Sequence, residues 1–135
     1  MKFYHLLSAV AFLLLSVFAA GAQNTQPQSE EEQEKQLLEY IDKRKEKLTT
    51  LLNLEYWQEF YVDSILTHDV MAMMEEQKKL QAAKAENPDL YQGIVDKWEQ
   101  QIDDSFKRYF TEDQWKKYWK TGAERAWKAR QKRKK

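Results

Sequence analysis

The sequence predicts an all-α protein, about four helices per chain in an elongated hairpin or bundle, and three observations predict it. Only three glycines and two prolines occur in 135 residues, while Glu, Gln, Lys, Leu and Ala, all good helix formers, are abundant. Apolar residues recur at spacings of three and four, the period of a helix with one buried side. The punctuation between these stretches is made of residues that start or stop helices, at Ser29, Asn53, Asn87-Pro88 and Thr111.

The first segment is read as an export signal. Lys2 supplies a positive start, Leu6 to Phe18 is almost continuously apolar, and Ala20-Gly21-Ala22 offers small residues for cleavage. The apolar run is short for a membrane span, which needs about 20 residues, and polar residues 23–28 follow it. The expected organisation is a signal peptide at 1–22, a polar linker at 23–28, an all-helical domain at 29–129 and a basic disordered tail at 130–135. Cleavage after Ala22 leaves 113 residues, enough for one domain with a modest core. A soluble periplasmic protein is expected, or a secreted one where there is no outer membrane. The absence of cysteine excludes disulfides and a lipid-modified cysteine.

Helix one is expected from Ser29, whose hydroxyl can cap the amide of Glu32 while Glu32 reaches back. Leu37, Leu38, Ile41, Leu48, Leu51 and Leu52 gather on one side, and the break is placed near Asn53. Helix two then extends toward Pro88. Its apolar side divides: Leu54, Trp57, Tyr61 and Ile65 share one direction, and Leu66, Val70, Met73 and Leu80 share another about 130° away. Either the helix bends between Ser64 and His68, or its halves pack on different partners, which favours a homodimer. Asn87 can cap helix three, with Pro88 at the tolerated first position. Ile94, Val95, Trp98, Ile102, Phe106 and Tyr109 form its core stripe. Helix four starts at Thr111 and presents Trp115, Tyr118, Trp119, Ala126 and Trp127 before the basic end, which is expected to fray.

Charge is uneven although the net charge is zero. Residues 29–114 carry a net of minus 10, and residues 115–135 a net of plus 9. Opposite signs at the two ends of a helical series complement the helix dipoles. The mixture of Trp and Lys from Trp115 onward also suits weak contact with an anionic membrane surface; nucleic acid is not expected as a partner of an exported chain.

Catalytic and metal chemistry find little footing. With no cysteine, one histidine outside the signal (His68) and no glycine-rich phosphate loop, no enzyme, metal or cofactor is expected. Asp69 is expected to point about 100° away from His68, and the pairs Glu75-Glu76 and Asp103-Asp104 read as solvated surface. Val70, Met71, Met73 and Met74, with Trp98, Trp119 and Trp127, are the candidate client-binding residues, because methionine and tryptophan adapt to unlike apolar partners.

Two helix-start strings complete the reading. In Phe110-Thr111-Glu112-Asp113-Gln114, Thr111 can cap and Gln114 can close a capping box, with Phe110 as a staple against Trp115. A related string runs from Leu54 through Glu55 to Gln58, with Glu55 where threonine is expected. An exported, cysteine-free helical chain with two such strings resembles the Spy/CpxP family of small periplasmic proteins, which carry a repeated Leu-Thr-x-x-Gln motif. The resemblance implies an antiparallel, cradle-shaped helical dimer and an ATP-independent chaperone that holds unfolded or partly folded envelope polypeptides. It implies as an alternative an envelope-stress regulator or adaptor that binds one specific periplasmic protein.

Overall fold

The computed structural model describes residues 28–135; the expected signal peptide and nearly all of the linker lie outside them. Four helical rods follow one another: α1 (Glu30–Leu52), α2 (Tyr56–Ala82), α3 (Pro88–Tyr109), and a fourth made of α4 (Glu112–Tyr118) and α5 (Glu124–Arg133) with a wide turn, Trp119–Ala123, between them. Among the described residues there is no strand, and the chain is all-α as expected. No described helix is long and apolar enough to cross a membrane. The first turns of α1, up to Gln36, belong to a unit separate from Leu37–Lys135, and the packing below is that of the latter. Within those first turns the amide of Glu32 donates to the Ser29 hydroxyl, the expected cap.

Each helix ends for a local reason. α1 stops because Asn53 takes a left-handed conformation (φ 49°) and the amide of Leu54 donates back to the Thr49 carbonyl at 3.1 Å, a Schellman closure. α2 closes the same way, with Lys84 left-handed (φ 56°) and the amides of Lys84 and Ala85 donating to the Gln81 and Leu80 carbonyls. It therefore ends at Ala82, earlier than the missing glycine suggests, since a lysine has taken the position that glycine usually fills. α3 begins where Asn87 accepts from the Asp89 amide, with Pro88 at its first position.

The helices run antiparallel in chain order. Along α2 and α3 the pairs Gln77-side to loop-side are fixed by Lys97 on Glu76, Gln101 on Asp69 and Tyr109 stacked on Tyr61, so one helix climbs as the other descends. Lys45 reaches Asp63 between α1 and α2. The core between the rods holds Leu37, Ile41, Leu48 and Leu52 from α1, Leu54 from the first loop, Val62, Leu66 and Val70 from α2, Ile102 and Phe106 from α3, and Phe110 and Tyr118 beyond it. Burying side chains of this size contributes about 1.5–3 kcal/mol each.

The division expected in α2 is resolved in one chain. Gln58, Val62, Leu66, Asp69, Val70, Met73 and Gln77 are its buried residues, a single stripe at intervals of three and four that includes three polar members. Trp57 and Tyr61 lie outside that stripe. In the second apolar direction Trp57 and Tyr61 face solvent, while Leu54 is buried and Ile65 packs against the core; α2 is one helix from Tyr56 to Ala82, with no break between Ser64 and His68.

The fourth rod differs more. Gly122 adopts φ 117°, which only glycine takes readily, and it separates α4 from α5. Tyr118 and Arg130 would stand about 18 Å apart along a straight helix. Here both reach the carboxylate of Asp103. The expected frayed tail is helical to Arg133, and Arg130 is buried.

Candidate binding surface

The two helix-start strings face each other and form a clasp. The side-chain oxygen of Gln58 accepts from the Glu55 amide at 2.9 Å, and that of Gln114 accepts from the Thr111 amide at 2.9 Å. Each side-chain amide then donates outward to the other string's oxygen, at 2.7 and 3.1 Å. Gln58 also donates to the Tyr109 carbonyl at the end of α3, and Gln114 to the Leu52 carbonyl at the end of α1. Two glutamines thus cap two helix starts and two helix ends at once, using donors and acceptors that a buried amide must otherwise leave unmet. Thr111 completes its box by accepting from the Gln114 amide. Glu55 stands in for threonine differently: its carboxylate accepts the indole N–H of Trp57 at 2.6 Å. Leu54 and Phe110 are both buried, and Phe110 stacks on Phe106 and meets Tyr118 edge-on.

Beside the clasp lies the most exposed apolar surface among the described residues. Tyr56 is 88 % exposed, Phe60 65 %, Trp57 49 % and Tyr61 39 %. Tyr61 anchors the group by stacking on Tyr109 at 4.3 Å, with Trp57 and Phe60 edge-on to it at 6.3 and 5.6 Å. Four aromatic rings at the start of one helix, open to water, are costly to leave uncovered. The sequence places Trp57 and Tyr61 on a distinct side of α2, expected to be covered through a bend or by a different partner; the angular offset from the Leu66 and Val70 stripe is the signal.

The expected client residues are not brought together. Val70 and Met73 are each only 2 % exposed and cannot receive a client. Met71 and Met74 are half-buried and pack against the core. This corrects the methionine surface: at helical spacing, Met73 falls on the same stripe as Leu66 and Val70. Trp98 is half-buried on α3, with the His68 ring edge-on at 6.3 Å and the Lys97 ammonium 5.0 Å from its centre. Trp119 is half-buried and Trp127 borders solvent at 36 % exposure. These two, with Trp115, form a consecutive series of rings 5.4 and 5.9 Å apart, carried on α4, the wide turn and α5.

α3 carries an acidic stripe that arginines cover. Arg44 of α1 makes a paired contact with Glu99 at 3.0 and 2.9 Å and touches the Tyr40 hydroxyl. Arg130 of α5 meets Asp103 at 2.7 Å and Gln100 at 3.2 Å, while Tyr118 donates to the other oxygen of Asp103. Arg133 meets Asp96 with two contacts of 2.7 Å. Asp103 is therefore part of the interior, a correction to its expected place on the solvated surface beside Asp104. Burial raises the Asp103 carboxyl above the ordinary aspartate range, against the pull of Tyr118 and Arg130, and pushes the Tyr118 hydroxyl well above its ordinary value. Burial works against the charge on Arg44, yet Glu99 and Tyr40 hold its pKa well above the ordinary value. At Asp96, burial opposes ionisation, but the hydrogen bonds from Arg133 and Gln92 prevail and keep the carboxyl low.

His68 also departs from expectation. Its Nδ1 lies 2.7 Å from the buried Asp69 carboxylate, so the two adjacent side chains converge where helical angle alone sends them apart. Gln101 donates to the same carboxylate. Among the described residues no three His, Cys, Asp or Glu side chains converge as a metal site requires.

No protein-family model, no curated protein and no solved structure matches the chain.

Proposed function

We propose that the protein holds unfolded or partly folded polypeptides reversibly and without nucleotide, and that the aromatic surface of Tyr56, Trp57, Phe60 and Tyr61 is where it holds them. The observation that carries this reading is the exposure of those four rings next to a rigid clasp. Rings of this kind bury large apolar area at small entropic cost, and flanking Glu55 and Glu59 keep the surface wetted when it is empty. The export signal expected at 1–22 and the resemblance to the Spy/CpxP family support a periplasmic setting and such a role. Met71 and Met74 contribute less, and Val70 and Met73 only through the core.

Association into a homodimer is part of the proposal, with the support moved. The divided apolar side of α2 no longer demands a second chain; the aromatic surface is what a second chain would cover. Light-scattering mass measured beside an aggregation assay addresses both points. Protection of three unrelated heat-labile enzymes, lost in the Trp57→Ala/Phe60→Ala variant, is the expected result. Protection of none overturns the holding role and leaves an adaptor for one specific envelope protein. Both altered residues are exposed but contact the Tyr61 ring, so folding stability in that variant should fall by about 0.5–1.5 kcal/mol per site, and circular dichroism checks that it remains helical. The proposed membrane contact is weakened because buried Arg130 and exposed Arg133 are both paired with acids of α3, and it would rest on exposed lysines such as Lys132, Lys134 and Lys135.

A further inference from the structure

We infer that the cleft between α3 and the fourth rod is a binding site for a single sugar ring, separate from the polypeptide-holding surface. It has a volume of about 240 Å³ and is lined by Gln100, Asp103, Asp104, Lys107, Trp115, Trp119 and Trp127. Sites for drug-sized ligands run to about 300–1,000 Å³, so this one accepts a small unit or the end of a longer chain. One wall is aromatic, the Trp115, Trp119 and Trp127 series, held in place by the bend at Gly122. The other wall is polar. Gln100, Asp104 and Lys107 recur on α3 at intervals of four and three, hence on one side of that helix.

The two walls select the ligand. A pyranose has a face of C–H groups that packs on an indole, and a rim of hydroxyls that both donate and accept. Asp104 offers an acceptor, Lys107 donors and Gln100 an amide. Gln100 is already oriented, donating to Asp104 at 3.0 Å and accepting from Arg130 at 3.2 Å. An apolar side chain in the same place would strip water from Asp104 and Lys107 without replacing it, which costs free energy. A free cation is disfavoured because Lys107, which lines the cleft, already lies over the Trp115 ring, 5.6 Å from its centre, and its ammonium charge repels a second cation. Trp127 is the most solvent-open ring of the three and so the most accessible to a ligand.

The test is titration of the intact chain with maltose, cellobiose and N,N′-diacetylchitobiose, followed by tryptophan emission and by saturation-transfer NMR on the sugar protons. Saturable binding of at least one, in the millimolar range, is expected. Trp127→Ala should abolish it, and Asp104→Ala should weaken it about tenfold, the loss of one hydrogen bond to a charged group. Both substitutions lie at solvent-open positions, and circular dichroism checks that each variant remains helical. Trp57→Ala should bind sugar as the parent does, which keeps this outcome distinct from that of the aggregation assay. No saturation with any of the three sugars, or binding that survives Trp127→Ala, overturns the inference, as does displacement of the sugars by tetramethylammonium.

Discussion

The glutamine clasp and the arginine contacts on α3 join helices by opposite means. At the clasp, Gln58 and Gln114 are neutral, each both donor and acceptor, and they satisfy one another and four backbone groups without any charge. On α3, Glu99 and Asp103 are acids buried among apolar neighbours and tolerable only because Arg44 and Arg130 reach them. The first arrangement is indifferent to pH and salt. The second is sensitive to both the loss of a partner and the protonation of an acid, since a buried charge left alone is far more costly than a buried amide.

The largest test of that contrast is Arg130→Ala. It strands Asp103 and should lower unfolding free energy by about 3–5 kcal/mol, read from urea midpoints. A loss below about 1 kcal/mol would show that water reaches Asp103 and that the two regions do not differ in kind. Next comes Gln58→Ala, which removes the clasp from one side and leaves the Gln114 amide and the Tyr109 carbonyl short of a partner. About 1–3 kcal/mol is expected, with no dependence on salt. Thr111→Ala touches only the cap and should cost about 1 kcal/mol. Lys84→Gly, at a left-handed helix end remote from either region, should raise stability by about 0.5–1 kcal/mol, because glycine takes that conformation without strain.

Titration sharpens the comparison on the acidic side alone. Carboxyl carbon NMR should show Asp103 losing its proton above the ordinary aspartate range and Asp96 below it. The signs follow from linkage. The folded Asp103 favours its proton, so its contribution to stability is fully present below the unfolded pKa and is lost as pH rises through the folded one. Asp96 does the reverse: its contribution is present above the unfolded pKa and is lost as pH falls through its lowered folded value. Reversal of that order would mean that Arg130 outweighs burial at Asp103.

Much of the framework was legible because it is local. Ser29, Asn53, Asn87-Pro88 and Thr111 mark helix ends by side-chain chemistry that acts within a few residues, and the Leu37, Ile41, Leu48, Leu52 stripe follows from period alone. Lys84 was not legible, because its conformation is imposed by the loop and not by its own preference. Gly122 was visible as a lone glycine in a helical stretch, and its bend could have been anticipated. What periodicity could not reveal was pairing across the fold. Glu99 and Asp103 occupy interior positions by angle but are polar by type, and only the arrival of Arg44 and Arg130 makes those positions acceptable. The aromatic surface was missed for the converse reason: Trp57 and Tyr61 read as residues that must be covered, Tyr56 and Phe60 drew no reading, and nothing in the sequence says that a neighbouring helix has been used up elsewhere.

The contact between Asp103 and Arg130 spans 27 residues and ties α3 to α5 across the bend at Gly122. During synthesis the acid emerges first and must wait, hydrated, while the bend at Gly122 and the whole of α5 are still being made. Closure of the interior is thereby assigned to a late event. A chain in synthesis stays open at this seam until the α5 arginine arrives, so a chain lacking Arg130 would leave the Asp103 carboxylate facing a gap it could not close.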